Sequence, residues 1–283
     1  ERQLTVASHW VDDQEGSEDA FRSDRDTDGN LNYFDFTERI FVEPGTSLCG
    51  YLEGDCTSAE VKVRTSFLKL DSERERNYVP QFYDDNRMGE FGYFRTERVS
   101  YDRRRDLTET GVIYLANRFD FWQSSLDAEG NEIPYADRQL RPVVYTLSPN
   151  YPTKMAGVTQ EIEADYDGVF KRIVSFLREQ SIEDLEADLL EQTGSACMFC
   201  VESNDDQHAR MGDLRYNYLY WVDHPHLSSP LGYGPSSANP ETGRIVSGMA
   251  YVYGASIDTY AQVAMDMIEA LNGDLSVDEL TSA

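Results

Sequence analysis

The sequence predicts an α+β protein, with a β-rich N-terminal part followed by a mixed α/β part. Three observations carry that prediction. Apolar residues recur mostly with period two from Leu31 to Phe121, they recur every three or four residues from Met155 to Leu177, and both habits alternate between Asp213 and Gly273. With 283 residues the chain can bury a sizeable core, and usual domain sizes favour two domains. We place an acidic arm at residues 1–30, a β-rich accessory domain at 31–138 and a mixed α/β domain at 139–283.

The arm is polar and acidic and reads as a linker or mobile segment. Within it, Asp24, Asp26, Asp28 and Asn30, with Asp35 further on, place oxygen side chains at calcium-loop spacing, and Gly29 stands where such a loop turns. Calcium takes six to eight hard oxygen ligands, and alternating aspartates on a tight turn supply several. The plainer alternative is an acidic turn that starts the first strand, and both readings stay open on sequence alone.

Strands follow at Asn32 to Glu43, at Glu60 to Leu70 with Val61, Val63, Thr65 and Phe67 on one face, and at Gly111 to Phe121 with Val112 and Tyr114. The basic run Tyr101-Asp102-Arg103-Arg104-Arg105 reads as an ion-paired surface segment in preference to an anion clamp. Asp127 to Glu132 has the composition of a hairpin turn, and Val143-Val144-Tyr145 that of a strand buried on both faces.

From Met155 the apolar positions Val158, Ile162, Tyr166, Val169, Ile173 and Leu177 predict a helix with this stripe inward. Glu161, Glu163, Lys171 and Arg178 lie elsewhere on the wheel. Ser181, with Asp184 three residues on, opens a second helix that buries Leu185 and Leu189 and ends at Gly194. Between Asp213 and Gly273 the order is a Tyr-rich strand to Val222, a long Gly- and Pro-containing loop, a strand from Arg244 to Tyr253, and a helix from Ser256 to Asn272. That last helix is expected to be a core element through Ile257, Tyr260, Ala264, Met267, Ile268 and Leu271.

Composition excludes some functions. With 25 basic and 52 acidic residues the formal net charge is -27, which repels phosphate backbones and anionic lipids, so nucleic acid is not an expected partner. No apolar run reaches the length of a membrane span. The chain opens on Glu1 and reads as a mature or trimmed segment. At its far end Ser276 to Leu280 has a capping-box signature, so a helix starts where the sequence stops and the end reads as cut.

Cys49 with Cys56 and Cys197 with Cys200 form two close pairs, which suggests structural disulfides in an oxidising, extracytoplasmic compartment. A four-thiolate zinc site is the alternative, for which only the second pair has the right spacing. The histidines are His9, His208, His224 and His226, and Pro225 between the last two keeps that pair off a helix.

The order RPVVYTLSPNYP, long helix, DLRYNYLYWV, GPSSANPETG and RIVSGMAYVYG resembles the first half of the catalytic domain of bacterial metzincin-like zinc metallopeptidases, secreted or outer-membrane lipoproteins. It covers residues 139 to 260. The matching loop positions are Gly234, Pro235, Ser236, Asn239, Pro240, Thr242, Gly243 and Ile245, with Arg244 in place of the usual acidic residue. The resemblance implies a metzincin-like upper subdomain and a substrate-side edge strand at Ile245, Val246, Ser247, Gly248 and Met249 that pairs with an extended peptide.

That family needs His-Glu-x-x-His to hold zinc and activate water, and this chain has no such motif. The expected function is therefore a metallopeptidase-like polypeptide without its own zinc ligands, acting on or with a peptide or protein. Zn2+ would come only from a segment absent from this chain, such as a second chain from the same precursor. The other reading is a calcium- and disulfide-stabilised subunit of an extracellular assembly, self-associating through its Tyr-rich strands.

Overall fold

The computed structural model describes residues 4–11, 20–42, 59–99, 111–206, 209–223 and 230–273. The protein is a mixed α+β structure with a β-rich N-terminal region. The first sheet joins β1 (Leu4–Val11), β2 (Phe21–Arg25), β3 (Leu31–Val42) and β4 (Ala59–Lys69) in the order β1-β4-β3-β2, with every pair antiparallel. The expectation of a linker over residues 1–30 is thus corrected. Main-chain pairing recruits polar segments whose side chains carry little periodic signal, with Leu4 opposite Lys69 and Phe21 opposite Phe36. On one face of this sheet Phe34 stacks on Phe67, ring centroids 4.5 Å apart.

Two short helices follow, α1 (Ser72–Arg76), capped by Asp71, and α2 (Asp85–Phe91), capped by Asp84. The antiparallel ladder of β5 (Arg95–Val99) with β6 (Val112–Ala116) comes next. β6 is shorter than the strand expected to Phe121, because Arg118 leaves it to bridge Arg244 in parallel.

The second sheet is built from β7 (Val143–Leu147), β8 (Phe199–Glu202), β9 (Asn217–Val222), β10 (Gly232–Tyr233), β11 (Ser236–Ala238) and β12 (Ile245–Tyr253). Its order is β10-β12-β9-β7-β8, with β11 also on β12. β7, β8, β9 and β12 run parallel, while β10 and β11 run antiparallel to β12. The β7-to-β8 crossover carries α3 (Ala156–Arg178) and α4 (Ile182–Thr193).

Ser181 caps α4 as its spacing predicts, accepting from the Asp184 amide at 3.1 Å. Leu185 and Leu189 are fully buried with Val174, Met198 and Leu140. Trp122, from before the boundary expected at residue 138, belongs to the same cluster.

α3 occupies its predicted span and is rotated relative to the prediction. Most of the predicted stripe faces out, with Ile162 46% and Ile173 44% exposed beside Phe176 at 81%, while Leu177 packs on the core and Lys171, Val174, Ser175 and Arg178 are buried. The cause is the edge of β8. Asp167 Oδ1 accepts the amides of Met198 at 2.6 Å and Phe199 at 3.1 Å, and Glu163 Oε1 accepts that of Val201 at 2.9 Å. An open strand edge is left with unpaired amides, and here helix carboxylates take them. Lys171 balances the charge from 2.8 Å to Asp167 and 2.6 Å to Glu186. Burial opposes the Lys171 charge, yet these two carboxylates hold its ammonium above its ordinary range.

The last helix, α5 (Gly254–Asn272), also departs from the prediction. It is not a core element, because Tyr260, Met267, Ile268 and Leu271 are all more than half exposed and only Gly254 is buried. Gly254 marks its launch point, since a Cβ there would lie 2.0 Å from Trp221 Cε2.

Asp167→Ala tests the edge cap directly. It strands two amides and one partner of Lys171, so urea unfolding should show a loss of about 2 kcal/mol and faster hydrogen exchange at Met198 and Phe199. Unchanged exchange at both amides would refute the cap.

Candidate functional site

The residues expected to hold calcium do not converge. Asp26 accepts the amides of Asp28 at 3.1 Å and Asn30 at 2.7 Å through Oδ1, and the Asn30 side chain at 3.2 Å through Oδ2. Gly29 has φ +79° and closes the turn on Asp26 O. The same turn recurs at Asp127-Ala128-Glu129-Gly130-Asn131, where Asp127 Oδ1 accepts the Glu129 and Asn131 amides at 3.0 and 2.8 Å. Aspartate, two spacer residues, glycine and asparagine therefore make a self-bonded hairpin turn at both places.

Both carboxyls are held below their ordinary range. For Asp26 the hydrogen bonds from Asn30 outweigh burial, and for Asp127 the Asn131 amide is the main cause. A depressed carboxyl stabilises the fold above its ordinary value and stops doing so as pH falls through the depressed one, so both turns weaken only in acid.

Asp24 is 3.3 Å from Arg215, and Asp35 lies fully buried on β3. Among the described residues no group of three His, Cys, Asp or Glu is arranged to hold a metal.

Asp35 belongs to a different arrangement, the polar inner face of the first sheet. Tyr33, Asp35, Arg64 and Ser66 are fully buried there against the segment Ala209 to Leu214. Arg64 donates to Met211 O at 2.6 Å, Ser66 donates to Gly212 O, and Arg210 and Tyr33 both bond Asp35. Arg215 forms a bidentate pair with Asp213 at 3.0 and 2.7 Å and lies 4.2 Å over the Tyr33 ring. Burial opposes the Arg215 charge, but the Asp213 carboxylate outweighs it and raises its pKa. Charge and main-chain carbonyls thus dock the first sheet onto the second.

The loop that carries the metzincin-like resemblance is a second clamp. Asn239 accepts the Glu241 amide on Oδ1 at 2.8 Å, and its own amide bonds Arg244 O at 2.8 Å. Gly243 has φ +74°, and a Cβ there would lie 2.5 Å from Ala116 O. Glu75 of α1 receives both Asn239 Nδ2 and Arg244. Arg244, unusual for the loop pattern, thus meets a buried acidic partner.

The expected substrate-side strand is corrected by the topology. Ile245, Ser247 and Gly248 face β11, and Met249 begins the pairing with β9. The Ile245 amide bonds Arg118 O at 2.8 Å, and the Gly248 amide bonds Asn217 Oδ1 at 2.8 Å. β12, including Val246 within it, is an interior strand, and a peptide cannot pair along Ile245 to Met249.

The Tyr-rich strand offers no contact surface through Tyr218 and Tyr220, which are buried. Cys197 and Cys200 form a disulfide that joins the approach to β8 to the strand itself. Cys49, Cys56, Tyr101 to Arg105, His208, His224, His226 and Ser276 to Leu280 lie outside the described residues.

Two helices carry rows of exposed apolar side chains. α3 offers Val158, Ile162, Val169, Ile173 and Phe176, and α5 offers Tyr260, Val263, Met267, Ile268 and Leu271. The helices start at the carboxyl ends of parallel β7 and β12, tied by Lys154 Nζ to Asp258 Oδ1 at 2.9 Å. A sequence signal existed for this face, since Asp167, Lys171 and Arg178 recur with helical spacing of their own, a charged row able to face a strand edge.

Two outcomes follow. Glu75→Gln leaves Arg244 buried without its counter-charge and should cost about 3 kcal/mol in urea unfolding. The double variant E75L/R244M should recover much of that, and equal losses in both would contradict the clamp. Excess CaCl2 should leave the thermal midpoint unchanged, whereas a rise abolished by Asp26→Ala would restore the calcium loop.

No family model, curated protein or solved structure matches this chain.

Proposed function

We propose that the chain is a non-catalytic, metallopeptidase-like binding polypeptide of an extracytoplasmic assembly, and that it receives a second polypeptide element on the outward faces of α3 and α5. The single observation that carries this reading is the exposed apolar row of α3, with Phe176 81% exposed, together with a projecting α5 whose Leu271 is 87% exposed. Apolar area of this kind is stabilised by burial at about 25 cal/mol per Å², so a partner that covers it gains affinity.

The loop residues Gly234 to Ile245 support the metallopeptidase-like part, and the Cys197–Cys200 disulfide supports an oxidising compartment. The chain carries no His-Glu-x-x-His, so zinc hydrolysis in such an assembly belongs to the element it receives. The role left to this chain is to hold that element.

The test combines gel filtration with light scattering and metal analysis. A complex with a His-Glu-x-x-His polypeptide, carrying zinc, should form with the wild type and be lost in the triple variant I162S/V169S/I173S. That variant should keep its fold, since each exposed change alters stability by about 0.5 kcal/mol or less. Concentration-dependent self-association through the same residues would favour a structural subunit instead. Undiminished complex formation by the triple variant would overturn the proposal.

A further inference from the structure

A second feature lies on neither helix face. A cavity of about 220 Å³ opens between α1, the segment Phe119–Asp120 and the starts of β7, β9 and β12. Its charged lining is Arg74, Arg141, Arg215, Asp120 and Glu202, with Tyr216 and Asn217 beside them. At ~30 Å³ per water this is space for about seven waters, enough for a small metabolite and too little for an oligopeptide.

The charges on its wall are incompletely answered. The buried Arg74 Nε has no hydrogen-bond partner. Arg141 spends Nε on Trp122 O at 3.3 Å and Nη2 on Gln123, both neutral acceptors. Asp120, only 9% exposed, accepts the Trp122 amide at 3.3 Å.

Burial, then the neighbouring Arg244 and Arg141, pull Arg74 down to about 10, and burial pushes Asp120 up. Arg74, Arg141 and the Asp213-paired Arg215 thus share one cavity with the carboxylates of Asp120 and Glu202, in a chain whose net charge is -27. An anion between the arginines relieves their repulsion, and a nearby N–H donor uses the spare lone pairs of Asp120. Asp120 and Glu202 on the same wall disfavour a dianion such as phosphate.

We propose that this cavity binds an α-amino-acid headgroup, the carboxylate on Arg74 and Arg141 and the α-nitrogen on Asp120. A free amino acid and the carboxyl terminus of a peptide share that chemistry. Binding here is independent of the helix faces, so the triple variant of α3 should retain it.

Isothermal titration calorimetry of the full chain with L-alanine, N-acetyl-L-alanine, acetate and inorganic phosphate tests the assignment. Stoichiometric binding of L-alanine without N-acetyl-L-alanine identifies a free amino acid, and binding of both, or of the acetylated form alone, identifies a peptide terminus. Arg74→Met should weaken whichever ligand binds by about tenfold, the loss of one charge-assisted partner. Asp120→Asn should weaken L-alanine but leave acetate within about twofold. If Arg74→Met does not fold, competition by acetate for the alanine site of the wild type replaces it, and its absence counts against the proposal. No heat with either alanine form, stronger binding of phosphate, or unchanged affinity in both variants would overturn it.

Discussion

Three backbone amides, one just before β8 and two on its outer edge, set the orientation of α3, and much of the molecule's surface follows from that. The amides of Met198, just before β8, and of Phe199 and Val201 within it need acceptors, which Asp167 and Glu163 provide. Once those carboxylates point inward, the row of Val158, Ile162, Val169, Ile173 and Phe176 must point outward. Burying charged groups requires compensation, and the amides, with Lys171 between Asp167 and Glu186, supply it. The fold gives up burial of an apolar stripe and gains a closed strand edge.

The same preference for charge over oil governs how the first sheet meets the second. Asp35, Arg64 and Arg210 are sealed at that junction, with Asp213 and Arg215 beside them, and Glu75 with Arg244 repeats the device at α1. Such pairs add little stability over an apolar replacement, but a misplaced one is costly, so they fix the relative position of the two sheets. A junction fixed in this way makes no use of the exposed apolar side chains of α3 and α5. It also leaves Arg74 and Asp120 on a cavity wall, with hydrogen-bonding capacity in reserve.

Much of the element order was legible in the sequence, because period and caps are local properties. The span of α3, the Ser181 cap and Gly194 stop of α4, and the strands at β3, β4, β7 and β12 all follow from spacing. Facing was not legible. A helical stripe of Val, Ile and Tyr reads as core unless the reader knows that an unpaired strand edge competes for the other side. Asp35 reads as a loop ligand because nothing local shows that Arg64 and Arg210 will reach it. β12 reads as an edge only because the metzincin-like resemblance implies one, and the three-residue β11 that covers it leaves no signal in spacing; the turn at Asp26 is recognised only when Asp127 repeats it.

The central claim is that α3 turns its apolar stripe to solvent in the isolated chain. Carbene footprinting of the monomer, read residue by residue by mass spectrometry, tests it most directly. The account predicts heavy labelling at Ile162, Val169, Ile173 and Phe176 and protection at Val174, Leu185 and Leu189. Protection of Ile162 and Ile173 to the level of Val174 in a verified monomer would contradict it.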